Sequence, residues 1–200
     1  MILLIAAAVL LASCAARVPP PASHLAGQCL ADLDRLGVAY AVTPEPAASA
    51  YCTVDNPVRV SAAAIQWSRP AIVACPFAVT LDDFSRDAIE PLAQKFFGQR
   101  VSVLRHYGAY ACRTTHNGRD SLHAKGEAID IAAFVLADGR VVSVEREWRR
   151  GGTEGRFLHA LAHAACQSFS VVLTPDSDSD HADHIHLDSG RYRLCGVRSS

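Results

Sequence analysis

Seven cysteines set the first constraint on this chain. Cys14 closes an apolar leader, "MILLIAAAVLLASC". The other six, Cys29, Cys52, Cys75, Cys112, Cys166 and Cys195, are spread over the rest of the sequence. The leader is shorter than the roughly 20 apolar residues a membrane-spanning helix needs. It reads as the hydrophobic region of an export signal, although a positive n-region is missing. An exported chain meets an oxidising compartment, where an even set of six cysteines predicts three disulfides. None of the six forms a CxxC pair, which argues against a cysteine-zinc site. The spacing does not choose among the pairings.

"LASC", residues 11 to 14, resembles a bacterial lipobox, so Cys14 is the expected lipidation site. The expected organisation is a signal peptide over 1–13 and a lipidated Cys14 with a Pro/Ala-rich tether over 14–27. A single domain over 28–195 and a tail over 196–200 follow. The expected location is exported and periplasmic, with a lipid anchor as the only membrane contact. Half of the 200 residues are hydrophobic and the formal net charge is −1. That composition supports a folded core and excludes both a disordered chain and the basic footprint of a nucleic-acid binder. A monomer is expected.

Hydrophobic spacing predicts the elements. Leu30, Leu33 and Leu36 recur at helical intervals before Gly37. "CPFAVTLDDFSRDAIEPLAQKFFG" predicts the longest helix, with Pro91 interrupting or kinking it and Gly98 after its end. "RVSVLRHYGAYACR" predicts a strand running into a loop, and Val58 to Val60 predict an extended segment. "EAIDIAAFVLADGRVVSV" predicts a hairpin turning at Asp138-Gly139. "TEGRFLHALAHAACQSF" predicts a helix capped by Thr153. "SVVLTP" and "HIHLD" predict short strands around an acidic stretch read as a mobile loop at a cleft mouth. The fold class is α+β, a small antiparallel sheet flanked by helices.

Two segments carry candidate chemistry. "DSDSDHADHIHLD", residues 176 to 188, holds His181, His184 and His186 among Asp176, Asp178, Asp180 and Asp183. "SLHAKGEAIDI", residues 121 to 131, places His123 before Gly126 and Asp130 after it. A glycine lets the backbone fold back there without a Cβ clash. Catalytic zinc uses three N/O ligands and keeps an open position. His123 and Asp130 supply two, and the histidine-rich segment can supply the third. His184 and His186 lie two apart and share a face of a regular strand, so His184 is a candidate fourth ligand.

The pattern S-x-H-x-x-G-x-A-x-D at Ser121, His123, Gly126, Ala128 and Asp130 resembles the first motif of the zinc D-Ala-D-Ala peptidase and hedgehog-like superfamily. Asp183 and His186 resemble its second motif, in which many members carry Glu at the acidic position. His181-x-x-His184-x-His186 is similar to the end of the penicillin-insensitive murein endopeptidases. "GAYACR", residues 108 to 113, resembles a stretch whose arginine faces substrate, here Arg113. Together with the cysteines and "CPFAVTLDDF", the chain resembles the bacterial extensin-like C-terminal domain family over roughly residues 28 to 195.

The resemblance implies a Zn2+ cofactor held by His123, Asp130 and His186. It implies Asp183 as proton shuttle, and His184 and Arg113 stabilising an oxyanion or gripping a substrate carboxylate. Ser121 and His181 join Arg113 as substrate-binding candidates. The implied partners are peptidoglycan peptides, cut by an endopeptidase or a carboxypeptidase. A zinc-containing wall-binding lipoprotein without turnover is the alternative. His106, His116, His159 and His163 match no motif. His159 and His163 have zincin spacing, but residues 160 to 162 are Ala-Leu-Ala and the HEXXH glutamate is missing. Ser121 lacks a G-x-S-x-G context, and the acidic run lacks the glycine and glutamate of an EF-hand.

Overall fold

The computed structural model describes residues 22–46, 51–114, 118 and 121–198. Cys14 and His116 lie outside the described residues. Five α-helices are present among them: α1 (Ala22–Leu36), α2 (Cys75–Phe84), α3 (Glu90–Phe97), α4 (Val144–Glu147) and α5 (Thr153–Ser168). The strands are β1 (Ala39–Val42), β2 (Pro57–Ala62), β3 (Gln66–Ala74), β4 (Val101–Gly108), β5 (Ala128–Leu136), β6 (Val141–Ser143), β7 (Val171–Leu173), β8 (Ile185–Asp188) and β9 (Leu194–Cys195). They form one sheet in the order β1-β2-β3-β4-β5-β8-β7-β9, with β6 paired to β5.

The class is α+β, as the sequence predicts, but the sheet is larger than expected and is mixed. β3 runs parallel to β4, and β7 parallel to β9. A parallel pair needs a long crossover, and the α2–α3 segment between β3 and β4 supplies it. One face of the sheet carries the core. Val58, Val60, Trp67, Val73, Leu104, Ile129, Ile131, Phe134, Leu136, Ile185 and Leu187 are buried together with Phe77, Phe84, Phe157, Leu158 and Leu161 from the helices. Edge-to-face aromatic contacts join the layers: Phe77 and Phe84 meet Phe169, and Phe134 meets Phe157. Such pairs add about 0.5–1.5 kcal/mol beyond area burial. The opposite face carries the exposed Arg59, Arg105 and Tyr107 and the polar side chains described below.

Pro91 does not stop the long helix. A π-helical stretch, Ser85–Ile89, links α2 to α3, and Pro91 falls in the first turn of α3, where a missing N–H costs little. Gly37 and Gly98 follow their helices with φ of 71° and 68°, the left-handed stop a glycine makes without a Cβ penalty. Thr153 is not a cap: it is the first helical residue, and Gly152 precedes it without a side-chain cap bond. α1 begins at Ala22, so the stretch read as a tether to residue 27 is helical in its last part.

Strands β1 and β3 lack a sequence signal. β1 is a short, mostly exposed edge strand. β3 contains Pro70, but the β2–β3 register jumps from Val60↔Ala71 to Ala62↔Gln66, and a proline is tolerated at such an irregularity.

Three disulfides close the fold: Cys29–Cys75, Cys52–Cys112 and Cys166–Cys195. They tie α1 to α2, the segment before β2 to the loop after β4, and α5 to β9. Each stabilises by about 2–4 kcal/mol on chain-entropy grounds. Among the described residues, no helix is long and apolar enough to cross a membrane.

Candidate metal centre

β5 and β8 are antiparallel neighbours, with Asp130 directly opposite His186. Directly opposed residues share a face, so both side chains leave the sheet on the open side. His123 arrives from a 3₁₀ turn, Leu122–Lys125, just before β5. Ser121 caps that turn: its hydroxyl accepts the His123 backbone N–H at 3.3 Å.

Gly126 ends the turn with φ of +65°. A Cβ there would lie 2.8 Å from the Ala74 backbone nitrogen and 2.8 Å from Val54 Cγ1. Its carbonyl accepts the Ala74 N–H at 2.9 Å. Gly126→Ala therefore combines strain and collision, for a loss of about 1–3 kcal/mol. A thermal melt checks the expected fall in Tm, on the order of 5 °C, with weakened metal uptake alongside it.

His123 Nε2, Asp130 Oδ1 and His186 Nδ1 converge. His123 Nε2 is 3.2 Å from Asp130 Oδ1 and 3.3 Å from His186 Nδ1, and the latter is 2.9 Å from Asp130 Oδ1. Zinc–ligand arms of about 2.0–2.1 Å in a tetrahedron give ligand–ligand edges of about 3.3–3.4 Å. The triangle is thus already near the size of one tetrahedral face, and the donor set of two imidazoles and a carboxylate suits zinc. His123 Nδ1 donates to the Ala109 carbonyl, which leaves Nε2 free of its proton for a metal. Burial pushes the Asp130 pKa up, but the adjacent His123 and His186 imidazoles outweigh it and hold the carboxyl well below the usual carboxylate range.

The other predicted residues surround this triangle. His184 Nε2 lies 3.5 Å from Asp130 Oδ1, and its Nδ1 donates to Asp183 Oδ1 at 2.8 Å. His184 is outside the three-residue cluster whose ligand atoms lie within 4.8 Å of one another. Burial raises the Asp183 pKa, but hydrogen bonds from His184 and Tyr107 outweigh it and lower the net value. Arg113 places Nη2 3.9 Å from Asp130 Oδ2 while its side chain stays 62% exposed. His181 donates from Nδ1 to Asp178 at 2.6 Å, and its ring lies 5.1 Å from that of His184.

Ser121 is buried, and its hydroxyl accepts the His123 backbone N–H, so it caps the turn that carries His123. The acidic stretch, read as a loop, contains a capped 3₁₀ turn. Asp178 caps a 3₁₀ turn, Ser179–His181, by accepting the Asp180 and His181 N–H groups. Asp176 accepts the Trp148 indole N–H at 3.0 Å.

Of the unmatched histidines among the described residues, His106 and His159 bond to backbone carbonyls. His106 is buried against Trp67 and donates to the Arg69 carbonyl. His159 donates to the Trp148 carbonyl, and His163 is exposed on α5.

Two neighbours were missed. Tyr107 donates to Asp183, and its ring lies 5.8 Å from that of His184. A register irregularity in β4 separates it from the simple alternation. Asp188 lies beyond His186, and the His184-x-His186-x-Asp188 alternation was its available signal.

The chain matches the family described as extensin-like protein C-terminus over residues 27–196. It belongs to that family. No curated protein and no solved structure matches this extensin-like chain significantly. All three cluster residues of the extensin-like domain, with Asp183 and His184, fall inside the matched span.

Proposed function

We propose that this extensin-like domain is a zinc-dependent peptidase of the cell envelope that cuts peptidoglycan stem peptides or cross-links. The observation that carries the reading is the convergence of His123 Nε2, Asp130 Oδ1 and His186 Nδ1 on the open face of the sheet. Their motif spacing supports it, as does the export-type leader. His123, Asp130 and His186 hold the metal, and bound zinc supplies a Lewis acid that polarises the scissile carbonyl and makes an attacking water more acidic.

Asp183 takes the proton of the attacking water and returns it to the leaving amine. His184, held by Asp183 through Nδ1, faces the triangle with Nε2. There it stabilises negative charge on the former carbonyl oxygen when protonated. Arg113 is exposed next to Asp130, where its guanidinium can pair with a substrate carboxylate. His181 lines the same rim. Lipidation of Cys14 would hold the domain at the membrane face of the envelope.

The test is muropeptide analysis after incubating the purified domain with peptidoglycan. New fragments are expected, lost with a chelator and restored by zinc. A domain that holds zinc and pellets with cell wall while cutting nothing is the wall-binding lipoprotein instead. A domain that takes up no zinc overturns both readings.

A further inference from the structure

His186 is held from both sides of its ring. Nδ1 faces His123 Nε2 and Asp130 Oδ1. On the far side, Nε2 donates to Asp188 Oδ2 at 3.2 Å. Asp188 is only 6% exposed. Its second oxygen accepts the Gly190 N–H at 2.9 Å. A Cβ on residue 190 would lie 3.2 Å from that oxygen and 3.5 Å from Leu122 side-chain atoms, so the glycine leaves the carboxylate its place. Asp188 is thus a buried carboxylate with both oxygens engaged and one of them aimed at a candidate ligand.

An imidazole offers a metal only the nitrogen that carries no proton, and the hydrogen bond at the other nitrogen decides which one that is. An acceptor at Nε2 keeps the proton there. We propose that Asp188 is a positioning residue for the metal centre: by accepting the Nε2–H of His186 it selects the tautomer and ring orientation that present Nδ1 to zinc. His123 is set the opposite way, with the Ala109 carbonyl holding Nδ1–H and Nε2 facing the triangle. One ligand is oriented by a backbone carbonyl and the other by a carboxylate. The inference rests on the zinc reading of the triad and is independent of whether the protein cuts peptides.

The test measures zinc affinity in the whole domain by competition with a chromophoric chelator. Asp188→Ala is expected to bind zinc 10–100-fold more weakly, in the range seen when outer-shell partners are removed. Asp188→Asn, whose amide oxygen can still accept Nε2–H while its NH2 gives up the Gly190 contact, is expected to fall between the parent and the alanine variant.

Parental affinity in Asp188→Ala overturns the proposal. So does equal weakening in both variants, which would assign the effect to charge. Should the alanine variant not fold, the parent decides. Nitrogen-15 spectra of the zinc-loaded protein are expected to show the proton on Nε2 of His186 and the metal on Nδ1, and the reverse arrangement overturns the proposal. A parent that binds no zinc at all removes the metal reading and this inference with it. A parent that binds zinc but cuts nothing leaves the affinity and nitrogen-15 results to decide it.

Discussion

Asp183→Ala is expected to keep its zinc at the parent's stoichiometry and to cut muropeptides about 10²–10⁴-fold more slowly, the usual loss when a general base is removed. Asp183 lies outside the three-residue cluster, and its carboxylate is engaged by His184 and Tyr107 instead. Those two hydrogen bonds hold it below the usual carboxylate range against the opposing effect of burial, so it stays ionised throughout the neutral pH range. Metal analysis of the purified variant and a single-turnover rate on one muropeptide check the two halves separately. Release of zinc from Asp183→Ala would make Asp183 a ligand. Cleavage at the parental rate would remove it from the mechanism.

His186→Ala is expected to lose most of its metal and all metal-dependent cleavage. Only His123 and Asp130 remain, and two ligands do not hold zinc against a competing chelator. The metal-free parent carries a related pH signature. Burial disfavours charge on His186, but hydrogen bonds to Asp130 and Asp188 outweigh it and lift its pKa to about 9. The ordinary value is near 6.5. A pKa raised on folding stabilises fully below the unfolded value and is lost as pH rises through the folded one. Stability of the chelated protein from this group is therefore complete below about pH 6.5 and gone above about pH 9. Zinc must displace the Nδ1 proton, so its affinity should climb about tenfold per pH unit toward pH 9. Zinc titrations at several pH values, and proton release in weakly buffered solution, measure this. A flat affinity between pH 7 and 9 would count against Nδ1 as the ligand atom.

The local elements followed from short-range rules. Gly37 and Gly98 mark helix ends because a left-handed residue there needs no Cβ. The Asp138-Gly139 turn follows from hairpin chemistry. Pro91 shows the limit of such reasoning: a proline in an apolar helical run predicts a break, yet a π turn leads into α3, whose first turn accepts the proline, while α2 packs on β2 and β3 and α3 on α5. β3 was unreadable for a similar reason. Its pairing is long-range, and Pro70 is tolerated only because the register slips beside it.

The sequence by itself determined the family motif, the six paired cysteines as a set and the three residues that converge, because each depends on residue type at fixed short spacing. Only the tertiary structure decided which cysteines pair, and that β8 lies beside β5 so that His186 faces Asp130. It also decided which nitrogen of each histidine faces the triangle. Those are set by contacts between segments far apart in the chain, 29 to 60 residues for the disulfides and 56 for Asp130 with His186, or by backbone carbonyls that carry no side-chain signature, such as that of Ala109. Tyr107 belongs to the same class, since its partner Asp183 is distant in the chain, whereas Asp188 stands two residues from His186 on β8 and was within reach of strand alternation.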